Sequence, residues 1–111
     1  MIRQGDIFLK KIENKPNLSG LKQIHAPLIL GYGEATGHRH QIKRGAKIFA
    51  NDRQSLELFA ISGGDFDIFI EVSESTELLH EEHGPIELSP GWYKPIRQRE
   101  YSPERLRYVT D

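Results

Sequence analysis

The sequence has no cysteine at all. That excludes a disulfide scaffold, a thiolate zinc site, an iron–sulfur cluster and a cysteine nucleophile. Any metal held here must use histidine, carboxylate or backbone oxygen ligands. Long apolar runs are missing too: Leu28-Ile29-Leu30 is broken at once by Gly31, far short of the ~20 residues that span a bilayer. The first residues lack the basic start, apolar stretch and small-residue cleavage site of a secretory leader, so the expectation is a soluble cytoplasmic protein with no membrane association. One tryptophan, four tyrosines and five phenylalanines keep a chain of only 37% apolar residues within the range that folds. At 111 residues, the chain reads as a single domain over 1–111.

Charge of one sign is absent over a long stretch. Residues 54–93 carry no Lys or Arg and nine acids, whereas residues 1–53 carry ten basic and four acidic residues. Basic and acidic strands lying side by side and pairing is the favoured reading. The sequence pI near 6.5 speaks against a duplex nucleic-acid binder, which normally shows a strongly basic face.

No long helical period is present. Phe66, Ile68, Ile70 and Val72 alternate with Asp67, Phe69 and Glu71, the clearest period-2 strand in the chain. Residues 6–12, 28–35, 38–42, 47–50, 77–80 and 92–101 read as further short strands, and Ser55 to Ile61 as another, with Leu56, Leu58 and Ala60 on one face. The glycines at 31 and 33 predict a bulge or bend. Short strands with Gly and Pro punctuation make an all-β fold: a small barrel or sandwich with mostly antiparallel strands and at most one short helix.

Four of five histidines come in two pairs. In Thr36-Gly37-His38-Arg39-His40, an extended backbone puts His38 and His40 on one face and Arg39 on the other. The second pair, His80-Glu81-Glu82-His83-Gly84-Pro85, lacks the i, i+4 spacing of the zinc-protease helix, and Gly-Pro stops a helix there. A turn would let both rings converge. The expected site therefore holds a divalent transition metal (zinc, iron, manganese or nickel) on His38, His40 and one or both of His80 and His83, with Glu81 or Glu82 as proton acceptor. Arg97, Arg99 and Tyr101 share one face of the last strand and form a candidate grip for an anionic ligand, against the simpler reading that the arginines pair with acidic strands.

The segment Gly31 to His40 resembles the first histidine motif of cupins, small β-barrels that bind metal through a His-x-His strand. The resemblance implies a cupin-like barrel and carries over only His38 and His40: no Glu follows at the cupin position, and Trp92-Tyr93-Lys94 stands after Pro90-Gly91 where cupins place a third histidine. The chain also resembles a group of small uncharacterised bacterial and phage proteins, through Arg3 to Asp6, Thr36 to His40, His80 to Ile86 and Arg97 to Tyr101; that likeness implies no particular activity. Two functions follow as expectations. One is a metal-binding β-barrel, acting as a hydrolase or oxygenase on a small-molecule substrate. The other is a metal-free accessory module whose open strand edges bind a partner or a second copy as a homodimer.

Overall fold

The computed structural model describes residues 2–4, 6–25, 27–32, 39–81 and 83–97. Its strands are β1 (Ile2–Gln4), β2 (Ile7–Ile12), β3 (Lys22–Gln23), β4 (Leu28–Tyr32), β5 (Arg39–Ile42), β6 (Ala46–Ala50), β7 (Phe69–Val72), β8 (Thr76–Leu79), β9 (Ile86–Leu88) and β10 (Gly91–Arg97), with one helix, α1 (Arg53–Ser62), between β6 and β7. The strands form two sheets, ordered β1-β2-β10-β7-β6-β3 and β4-β5-β8-β9. Every described strand pair is antiparallel. The fold is thus a two-sheet sandwich, and the sheets do not close into a barrel.

Alternation builds the core. Ile7 and Leu9 of β2, Ile48 and Ala50 of β6, Ile70 and Val72 of β7, and Tyr93 of β10 point inward from the larger sheet. Leu30, Ile42, Leu78 and Leu88 meet them from the smaller one. Ile68, Ile70 and Val72 are buried as their period requires, Phe66 packs against the same core, and Asp67 is exposed. The expected bulge lies in β4, where the register against β5 shifts between Ile29 and Gly31.

Two of the chain's four changes of sheet meet at one corner. β5 belongs to the smaller sheet and β6 to the larger, and β7 and β8 cross back. Gly45, at φ 77°, makes the first crossing. Its carbonyl accepts from the Ser73 backbone N–H at 2.9 Å, and Thr76 Oγ1 donates to Arg44 O at 2.6 Å, which pins the two crossings together.

Ser55 to Ile61 is a helix, not the expected strand. Leu56, Phe59 and Ala60 are its buried residues, at i, i+3 and i+4, while Leu58 is 44% exposed. Leu56, Leu58 and Ala60 fit a period of two and Leu56, Phe59 and Ala60 the helical one, and the ends decide. Asp52 caps the first turn by accepting the Ser55 N–H at 2.7 Å, and Gly63, at φ 75°, ends the helix. Strands β1 and β9 were not expected. β10 stops pairing with β7 at Tyr93, so Pro95, which has no N–H to give, lies beyond that ladder and pairs only toward Leu9 of β2.

Candidate metal centre

β1 is an edge strand, and its last residue, Gln4, points between the sheets with 2% of its surface exposed. A buried amide must satisfy its hydrogen bonds. Gln4 Nε2 donates to Leu78 O of β8 and to Gly84 O, each at 3.0 Å, tying the larger sheet to the smaller one. With both amide protons committed to carbonyls, Oε1 can only accept. It stands 3.0 Å from Nδ1 of His40, so the network assigns the His40 proton to Nδ1. The remaining nitrogen, Nε2, faces the interior, toward the Asp6 carboxylate.

His40 reaches that point because β5 alternates. Arg39 is exposed, whereas His40 is completely buried. Asp6, in the turn between β1 and β2, comes from the other side. Its Oδ1 lies 3.4 Å from His40 Nε2, and its Oδ2 accepts from Arg97 Nε at 2.9 Å. Arg97, the last residue of β10, also donates through Nη1 to Ala60 O of α1. Burial alone would push the Asp6 carboxyl up. Attraction to the His40 ring and to the Arg97 guanidinium outweighs it and holds the carboxyl below its ordinary value of 3.8.

The second histidine pair closes a turn after β8, where the His83 backbone N–H donates to His80 Nδ1 at 3.3 Å. That bond uses the Nδ1 lone pair and leaves the neutral His80 ring its proton on Nε2. The turn brings His80 to 4.4 Å from His40, ring centre to ring centre, and His83 to 4.8 Å from His80 and 6.3 Å from His40. Three buried polar atoms have no hydrogen-bond partner among the described residues: Asp6 Oδ1, His40 Nε2 and His83 Nε2. The three rings lie side by side rather than aiming at one centre. Accordingly, no group of three or more histidine or carboxylate side chains stands in coordinating geometry among the described residues.

A surface cleft of about 250 Å³ reaches this cluster, lined by Arg39, Gln41, Lys43, Leu79, His80 and Glu81. Glu81 Oε2 accepts the Arg39 backbone N–H at 3.0 Å, which joins the turn to the start of β5. His38, Glu82, Arg99 and Tyr101, all named from the sequence, lie outside the described residues. Arg97 is corrected: its side chain is 1% exposed and held in the interior by Asp6, so it is no outward grip for a ligand. His40 is fully buried in this network. Asp6 and Gln4 carried no expected role. Their only local signal is a polar pair flanking a glycine beside an apolar strand.

Among the described residues, no helix is long and apolar enough to cross a membrane. Residues 3–98 match the family described as Domain of unknown function (DUF8820). The chain belongs to that family. No curated protein and no solved structure matches it.

Proposed function

We propose that this DUF8820 protein binds a divalent transition metal at the buried cluster, through His40 Nε2, His83 Nε2 and Asp6 Oδ1. The observation that carries the reading is the set of three buried, unpartnered atoms, all of ligand type. A buried polar atom without a partner is costly, and a cation between His40 Nε2 and Asp6 Oδ1 would satisfy two of the three where they stand. One pair already has the right spacing: His40 Nε2 and Asp6 Oδ1 are 3.4 Å apart, where tetrahedral ligands on zinc lie about 3.3–3.5 Å apart. Gln4 supports the reading too, since a metal-binding imidazole normally donates its other N–H to a fixed acceptor. His83, whose ring centre lies 6.3 Å from that of His40, would join the set by turning its ring toward them. His80, with its Nδ1 engaged, lines the approach from the cleft, and His38 is retained from the sequence as a further ligand.

The nitrogen and oxygen donors suit zinc, iron, manganese or nickel. A metal with an open position would supply Lewis-acid or oxygen chemistry for hydrolysis or oxygenation of a small molecule entering the cleft, with Glu81 placed as proton acceptor at its wall. The test is metal content after growth in medium supplemented with each ion in turn, measured by plasma mass spectrometry. The expected result is a stoichiometric metal in the parent and its loss in His83→Ala, whose half-buried ring can be removed without touching the Gln4 network. His38→Ala, measured alongside, reports that residue's share. No retained metal under any supplement favours the metal-free accessory module.

A further inference from the structure

The outward face of the larger sheet carries a second feature, independent of the histidine cluster, which lies on the inward side. Residues paired in antiparallel register share a face, so the pairing maps this surface. Lys10 pairs with Lys94 across β2 and β10, and Phe69 with Phe49 across β7 and β6. Trp92, Glu71 and Lys47 form a row two residues or about 6.8 Å along the strands. Trp92 and Phe49 pack with ring centres 5.7 Å apart, and Lys94 Nζ stands 5.0 Å from the centre of Phe69. At the far end Arg3 covers Phe8 at 5.2 Å. The aromatic rings are half-buried by one another, while Arg3, Lys10 and Lys47 are exposed. Glu71 is the acid in these rows.

We infer that this face binds single-stranded nucleic acid. Three neighbouring aromatic rings on a sheet offer stacking surfaces to unpaired bases, and the flanking lysines offer charge to the phosphates between them. Duplexes are disfavoured, because their bases are already stacked and a flat sheet enters neither groove. Lys94 Nζ also donates to Phe66 O at 3.0 Å, which holds its charge beside the Phe69 ring.

Trp92 is the only tryptophan, so intrinsic fluorescence reports this face directly. The probe is an oligothymidylate of about fifteen nucleotides, within the usual site range for such folds. Its addition should quench Trp92. Affinity should fall between roughly 50 and 200 mM salt, with a log–log slope of about −2 to −3 for three or four phosphate contacts. Phe69→Leu keeps the packing and removes the ring, and should weaken binding about 5- to 100-fold. Lys94→Gln with Lys47→Gln should flatten the salt slope. Three results would overturn the inference: no quenching at low salt, heparin or duplex DNA binding as tightly as the single strand, or unchanged binding by Phe69→Leu.

Discussion

Replacing Arg97 by methionine removes a guanidinium and keeps most of the side-chain volume. In the parent, Arg97 Nε holds Asp6 Oδ2 at 2.9 Å with both side chains almost fully buried, and Nη1 caps Ala60 O near the end of α1. Without it, Asp6 is a buried carboxylate with only the neighbouring His40 ring to stabilise its charge. Breaking a buried pair from one side costs about 3–5 kcal/mol, a large share of the roughly 5–15 kcal/mol that holds a domain folded. Urea unfolding followed by Trp92 fluorescence measures it. The pH dependence supplies a signature that lost packing would not. In the parent, Asp6 has a lowered folded pKa, so its contribution is present above the unfolded value near 3.9 and is lost as pH falls through the folded one. In Arg97→Met, burial dominates and raises the carboxyl, so the defect should be largest at neutral pH and shrink on mild acidification. Asp6→Asn added to Arg97→Met should recover part of the loss. A cost below about 1 kcal/mol, or a defect independent of pH, would refute the account of this pair as a buried, charge-balanced link.

Gln4→Leu should destabilise by about 1–3 kcal/mol, because it orphans the His40 Nδ1–H and two carbonyls, and should weaken metal affinity about 10- to 100-fold; urea unfolding and metal titration measure the two effects. Gly45→Ala forces a side chain into the left-handed region, with its Cβ 3.1 Å from Glu74 O; thermal unfolding should show a loss of about 1–2 kcal/mol. Phe59→Ala should cost about 3–5 kcal/mol, whereas Leu58→Lys should stay within about 0.5 kcal/mol, a contrast that only the helical assignment of this segment produces in unfolding experiments.

The two-sheet architecture was largely legible because burial follows a period of two wherever a strand has one wet and one dry face, as in residues 66–72. α1 was not, because Leu56, Leu58 and Ala60 satisfy a period of two while Leu56, Phe59 and Ala60 satisfy the helical one. The distinguishing signals were the cap at Asp52 and the glycine at 63, not the apolar pattern. At the site, histidine pairing pointed to His40, His80 and His83, which the structure brings together. Asp6 and Arg97 are 91 residues apart in the chain, and no local period records which polar residues a fold will bury against each other. Arg97 shows why: alternation puts it on the face of Tyr93 and Pro95, and that face is the inner one.

The most direct measurement is nitrogen-15 NMR of the imidazole rings, recorded before and after one equivalent of zinc. The account predicts that His40 carries its proton on Nδ1 in the metal-free protein. It predicts that zinc then shifts the Nε2 resonances of His40 and His83 together, while the His40 Nδ1–H to Gln4 persists. A His40 ring without its proton on Nδ1 before zinc, or His40 and His83 resonances unmoved after it, would contradict the metal site.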